Sequence, residues 1–131
     1  MRRSDLPGFI KGQATPATDQ LLKEVAAGAT VIVPALWFLE MSNVLLMAQR
    51  RHRLTAIQRK SAMEKLTALQ LTVDEEGARN AFGKTSELAE KYGLTIYAAT
   101  YLELALRRSL PLASREEALT KAAAQCGIKS P

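Results

Sequence analysis

The chain has 131 residues and carries 18 Lys and Arg against 13 Asp and Glu, a net charge of +5. This length can bury one sizeable core but not two, and no stretch has the composition of a linker, so we expect one domain over residues 1–131. The single cysteine excludes an intramolecular disulfide, and neither a signal peptide nor a long apolar run is visible, which favours the cytoplasm. The positive charge favours an acidic partner, either nucleic acid or an acidic protein.

Several catalytic classes are excluded by the residues that the chain lacks. His52 is the single histidine, which excludes a His-based triad and a His-based zinc site. The sequence also has no phosphate-binding glycine loop, dinucleotide fingerprint or CxxC motif. A purely DNA-binding regulator is not favoured either, because no helix-turn-helix pattern stands out.

Helix and strand signals alternate along the first half of the chain. Thr15 and Pro16 form a helix-start signature, and Gly28 is a helix end. Gln58 is placed as the capping-box partner of Thr55. The predicted elements are a helix from Thr15 to Ala27, a strand from Thr30 to Val33, a helix from Leu36 to Arg51, a break around His52 to Leu54, and a helix from Thr55. The last two helices form a predicted helical hairpin.

The second half continues the alternation. Gly93 ends one helix and Thr95 caps the next. The predicted elements are a strand from Leu71 to Val73, a helix from Glu75 to Tyr92, a helix after Thr95, a strand from Pro111 to Ala113, and a helix from Arg115 to Cys126 that Gly127 stops. Strands that alternate with helices predict a parallel α/β fold.

Three separated blocks carry a family resemblance: VPALWFLEMSNVL from Val33, GLTIYAATYLELA from Gly93 and LPLASRE from Leu110. In order and spacing they resemble the PIN-domain family, specifically the VapC-like ribonuclease toxins, from about Ala14 to Gly127. The resemblance implies a PIN-like three-layer α/β/α fold with a mostly parallel sheet and a helical hairpin. It also implies an endoribonuclease that depends on Mg²⁺ or Mn²⁺.

The first thirteen residues, MRRSDLPGFIKGQ, form an atypical N-terminal segment outside this resemblance. In the family, a hydrophobic central strand ends in a first catalytic Asp, and counting back places that Asp near Met1. We therefore expect the strand to be missing, with the gap closed by Leu6 to Ile10, by a partner chain or by rearranged pairing. The alternative to such a degenerate N-terminus is a truncated one, in a sequence that starts too late. Asp5 is several positions from the expected place and precedes Leu-Pro, so it is not favoured as a ligand.

Two of the four acids that the family brings together have counterparts here. The resemblance assigns Glu40 and Glu116 as metal ligands and catalytic acids, whereas Ala98 stands where the third acid normally projects. Without the resemblance, each glutamate has an ordinary alternative: Glu40 as a helix residue reaching solvent, and Glu116 as a helix-start residue beside a Ser114 cap. Glu103 is more than one turn from position 98, so we expect its carboxylate to point away from the pocket or toward solvent.

Further site residues and partners follow from the same resemblance. Asn43 and Ser114 are candidates for orienting the metal ligands or contacting the substrate, and their alternatives are ordinary roles as a polar helix residue and a helix cap. The family also implies a homodimer and a cognate antitoxin whose helix would lie in a groove lined by Leu36, Trp37 and the helix from Thr55 to Leu69.

Two functions remain open. One is a VapC-type, metal-dependent endoribonuclease with cleavage impaired by the missing acids. The other is an inactive PIN module that acts by binding protein or RNA. A basic run in the predicted hairpin has two interpretations: it contacts RNA phosphates, or it is a solvated helix end. It comprises Arg50, Arg51, His52, Arg53, Arg59, Lys60 and Lys65.

Overall fold

The computed structural model describes residues 8–12 and 23–131. The strands in this part of the chain are β1 (Gly8–Lys11), β2 (Thr30–Pro34), β3 (Thr72–Asp74) and β4 (Leu112–Ala113). The α-helices that lie wholly within it are α1 (Leu36–Arg50), α2 (Ala56–Ala68), α3 (Lys84–Tyr92), α4 (Ile96–Arg108) and α5 (Glu117–Gln125). Residues 23–26 are also helical, and a short 3-10 helix spans Gly77–Asn80.

The described strands form one parallel sheet in the order β3-β2-β1-β4. Val31, Ile32 and Val33 of β2 are all buried, although neighbouring side chains of a strand point to opposite faces. Both faces of the sheet are therefore covered, as is usual for parallel sheets. This is the three-layer α/β/α arrangement of the PIN fold, which confirms the fold predicted from the sequence.

The centre of the sheet is occupied by strand β1, so the sheet has no gap at this position. Strand β1 pairs with β2 on one side and with β4 on the other. Phe9 and Ile10 are buried in the core. Of the three ways to close the gap, the structure thus confirms the first, since residues 8–10 of the segment from Leu6 to Ile10 lie in the strand.

The predicted helix ends are confirmed where the chain is described. The Thr55 side chain accepts from the Gln58 backbone and the Gln58 side chain accepts from the Thr55 backbone, so the capping box is complete. Thr95 accepts from the Ala98 N–H at 3.0 Å. Gly93 has a left-handed backbone with φ of 65°, which is a conformation that glycine adopts without strain.

Two predicted helices differ from the structure. The segment from Glu75 to Tyr92 is broken into the 3-10 helix and α3, because the Asp74 carboxylate accepts from the Gly77 N–H at 3.0 Å and Gly83 has non-helical backbone angles. The last helix begins at Glu117 instead of Arg115. The helix predicted from Thr15 to Ala27 is confirmed only at residues 23–26, because its earlier part lies outside the described residues.

The core lies between the sheet and its helices. Its largest fully buried side chains include Trp37 of α1 and Tyr101 of α4, and α4 contributes an almost continuous buried stretch from Ala98 to Ala105. Helix α4 packs on β1 and β2, and α5 packs on β4. In the described part of the chain, no helix is long and apolar enough to cross a membrane.

Candidate functional site

Glu40 and Glu116 lie on the side of the sheet where the parallel strands end. Glu40 is in the second turn of α1, which follows β2, and Glu116 comes three residues after β4. Strands β2 and β4 pair with the two sides of β1, so the two acids flank the end of the central strand. Open parallel sheets form their crevice at this end. The two carboxylates are close enough to interact electrostatically.

Glu40 is half-buried and tied to helix α4. The hydroxyl of Tyr101, which is fully buried, donates a hydrogen bond to Glu40 Oε1. Burial raises the pKa of the Glu40 carboxyl, and the charge of Glu116 raises it further, while the hydrogen bond from Tyr101 opposes both. Burial also raises the pKa of the Tyr101 hydroxyl above its usual range, so this group stays a donor. Glu40 is therefore a positioned carboxylate, and its alternative as an idle solvent-facing residue is not supported.

Glu116 leaves one oxygen without a partner. Its Oε2 is buried and accepts no hydrogen bond from the described residues. Its backbone N–H donates to Ser114 Oγ at 3.1 Å, and its extended backbone places it just before α5. A buried carboxylate oxygen without a donor is costly, so this atom is suited to a cation or a proton.

The other two positions of the expected acid cluster hold no carboxylate in the described chain. Ala98 is fully buried at the start of α4 and presents only a methyl group. The central strand ends at Lys11 and Gly12, and Lys11 Nζ lies 3.4 Å from Glu24 Oε2. The end of this strand is therefore not near Met1, where the count back from the motif placed it. Met1 and Asp5 lie outside the described residues.

Comparison with known proteins agrees with the fold. The model of the PIN domain matches residues 9–125. The chain belongs to the PIN-domain family. The match covers β1, and thus begins earlier than the resemblance at Ala14. The fold is also similar to the crystal structure of PAE2754 from Pyrobaculum aerophilum, with a TM-score of 0.68 and 19% identity over 89% of this chain and 79% of that one. No curated protein matches the chain.

PIN domains are generally nucleases that use divalent metal ions. Within residues 8–12 and 23–131, no three His, Cys, Asp or Glu side chains converge on one point as a metal cluster. Glu40 and Glu116 nevertheless fit such an ion as a two-carboxylate site, because Mg²⁺ is often held by one or two carboxylates with water and phosphate oxygens completing its shell. The unpartnered Oε2 of Glu116 is the atom that a cation would satisfy.

The two candidate supporting residues of this PIN domain, Ser114 and Asn43, lie in different surroundings. Ser114 accepts from the Glu116 backbone, which orients the segment that carries the acid. Asn43 is exposed and lines a separate hollow with Met47 and Arg51. Roles for Asn43 and Ser114 in the site stay predictions.

Glu103 points away from the two acids, as predicted, but toward a buried partner and not toward solvent. It is only 3% exposed, accepts from Arg107 Nε at 2.9 Å and accepts from Asn80 Nδ2 at 2.6 Å. Arg107 also donates two parallel hydrogen bonds of 2.8 Å to Asp74, which is equally buried. Sequence reasoning missed this ion cluster. Its signals were an Asp at the end of a strand and a Glu and Arg four residues apart on one helix.

Proposed function

We propose that this PIN domain is a ribonuclease of the VapC-like toxin type whose cleavage is impaired by the loss of two acids. The pair of Glu40 and Glu116, with one buried oxygen unpartnered, is the observation that carries the proposal. Position 98 and the end of β1 explain the impairment, because the side chains of Ala98, Lys11 and Gly12 offer no oxygen ligand to a cation.

Each remaining group has a defined task in this proposal. A divalent ion bound by the pair, Mg²⁺ or Mn²⁺, would supply an acidified water and offset the charge on the phosphate. Tyr101 fixes one oxygen of Glu40 through its hydroxyl, which leaves the other oxygen for the ion. Ser114 holds the backbone of Glu116. With two ligands in place of four, we expect both metal affinity and positioning to be weak.

A catalytically inactive PIN module is the second candidate. It is favoured by Ala98, which is fully buried in a tightly packed part of α4 and leaves no polar group at a position central to the family's acid cluster. In this form the domain would act through the binding of RNA or of a protein. The two candidates predict the same binding surfaces and differ in whether any RNA is cut.

We also propose that the chain binds a cognate antitoxin and a second copy of itself in the cytoplasm. An apolar groove of about 430 Å³ between α1, α2 and β3 supports the binding of an antitoxin helix. Trp37, Phe38, Met41, Leu66 and Leu69 are among its lining residues. The apolar lining of this groove suits the apolar face of an amphipathic helix. Trp37 is one of the residues that line this groove, and Leu36 is not.

The proposed nuclease function is tested by an RNA cleavage assay with Mn²⁺ on the wild type, Glu40→Gln and Glu116→Gln. We expect slow cleavage by the wild type that falls at least about tenfold in each variant, because each removes half of the ligand pair. Glu117→Gln is the matched control, since Glu117 is the exposed neighbour of Glu116.

Calorimetric titration with Mn²⁺ gives a second readout of the same pair. Heat of binding that disappears in Glu40→Gln supports the two-carboxylate site. An unchanged binding curve in that variant would remove Glu40 from the site. Absence of cleavage by a folded wild type that still binds RNA would instead favour the inactive module.

A further inference from the structure

The excess positive charge of the chain is confined to the helical hairpin. The whole chain has 18 Lys and Arg against 13 Asp and Glu. Residues 41–63 contain five of these cations and no acid, so the remainder of the chain is balanced in charge. We call these five side chains the basic tip; they are Arg50, Arg51, Arg53, Arg59 and Lys60.

The basic tip faces solvent at the turn between α1 and α2. All of its members are exposed except Arg59, which is partly buried and donates to Gln49 Oε1 at 2.8 Å. Among the described residues, no carboxylate lies within ion-pair distance of any member. By contrast, Arg107 and Arg108 at the end of α4 are both paired with Asp74. The tip is thus a concentration of charge that no carboxylate of residues 8–12 and 23–131 neutralises by an ion pair.

The backbone that carries the tip is held in one conformation. His52 has a left-handed backbone with φ of 59°, and the Arg53 N–H donates to the Ala48 carbonyl oxygen at 2.8 Å. On the other side of the turn, the capping box of Thr55 and Gln58 fixes the start of α2. A ligand of the tip therefore does not have to order the backbone of the turn.

We propose that the basic tip binds the phosphate backbone of RNA, an inference that rests on the proposed function for the identity of the nucleic acid. Unpaired Lys and Arg side chains bind phosphates by releasing counterions. The cores of protein interfaces are depleted in charged residues, and Ile57 is the one large apolar side chain strongly exposed among residues 50–60. The surface therefore suits a polyanionic backbone better than a folded acidic protein.

The position of the tip is compatible with a strand that also reaches the acid pair. Glu40 and Arg50 are ten residues apart on the same helix, which is about 15 Å at 1.5 Å per residue. Phosphates of one strand of a B-form duplex recur about every 3.4 Å along the helix axis, so a stacked strand with a similar rise covers this distance in about four nucleotides. The tip would supply affinity and direction, whereas Glu40 and Glu116 would supply the chemistry.

The test measures binding of a short fluorescein-labelled single-stranded RNA by anisotropy in EDTA, where metal-dependent cleavage plays no part. The variant is Arg50→Gln/Arg51→Gln/Arg53→Gln. The control Arg79→Gln/Lys84→Gln/Lys121→Gln removes the same charge from exposed positions elsewhere. We expect Kd to rise about tenfold or more in the tip variant, and the slope of log Kd against log salt concentration to fall by about 2, since each phosphate contact contributes about 0.7. The control should lose less than about threefold in affinity.

Retention of RNA binding in Arg50→Lys/Arg51→Lys/Arg53→Lys would support the proposal and would show that charge is the cause. An equal loss in the tip and control variants, no binding by the wild type, or equal affinity for polyglutamate and RNA would each overturn it. Failure of the nuclease proposal is distinguishable, because a wild type that binds RNA through the tip in EDTA but cuts no RNA with Mn²⁺ would overturn the nuclease proposal alone.

Discussion

At the scale of single residues, the hydroxyl of Tyr101 is what holds Glu40 in place. The two side chains are 61 positions apart in the chain and meet between α1 and α4. The place of Glu40 in the helix that follows β2 was predictable because it lies inside a continuous motif. The contact with Tyr101 was not, because the apolar spacing of α4 predicts only that an aromatic residue there is buried and does not indicate which polar group its hydroxyl meets.

We predict that Tyr101→Phe lowers the free energy of unfolding by about 1–3 kcal/mol, because it removes a hydrogen bond to a half-buried carboxylate and leaves Glu40 Oε1 unsatisfied. Urea denaturation followed by circular dichroism measures the change. Tyr97→Phe is the control, since Tyr97 is 62% exposed and should change stability little. If the double variant with Glu40→Gln shows additive losses, Tyr101 does not act through Glu40.

At the scale of elements, the strand that sequence reasoning expected to be missing is the centre of the sheet. Strand β2 was predictable because its sequence, TVIVP, contains a β-branched run. Strand β1 has the sequence GFIK, in which only two residues are strongly apolar, so local propensity does not predict it. What makes β1 a strand is pairing on both sides, and that is a tertiary effect which local propensity does not contain. The caps at Thr55 and Thr95 were predictable because a cap depends on residues within one turn.

The contact between β1 and β4 leads to a second prediction. A Cβ on Gly12 would lie 2.5 Å from the Ala113 carbonyl oxygen, a backbone atom that cannot move away. We expect Gly12→Ala to lower the free energy of unfolding by about 1–3 kcal/mol through steric overlap. Gly8→Ala at the other end of β1 is the matched control, because its Cβ would lie 3.6 Å from the nearest atoms. Equal melting temperatures for the two variants would show that the strands are not packed this closely.

At the scale of the whole molecule, the buried ion cluster of Asp74, Glu103 and Arg107 joins the end of β3 to helix α4. The Arg107 guanidinium donates to both carboxylates, and Arg108 adds a contact of 3.3 Å to Asp74. Hydrogen bonds from Arg107 hold the pKa of the Asp74 carboxyl below its usual value of 3.8 in spite of burial. When opposite charges are buried together, removal of one partner destabilises the fold by more than the ion pair stabilises it, because the other charge is left buried without a partner.

We predict that Asp74→Asn lowers the free energy of unfolding by about 3 kcal/mol near neutral pH, because it leaves Arg107 with less than its full set of acceptors. The lowered pKa fixes the pH dependence: the ionised Asp74 stabilises the fold fully above its unfolded pKa, and this contribution is lost as pH falls through the folded value. Stability measured by urea denaturation from about pH 6 to about pH 3 should therefore fall more steeply in the wild type than in Asp74→Asn.

Glu76→Gln is the control, since Glu76 is exposed at 3.6 Å from Arg107 and its substitution should lower the free energy of unfolding by less than about 1 kcal/mol. Parallel acid profiles for the wild type and Asp74→Asn would show that the acid sensitivity of the fold arises from other carboxylates.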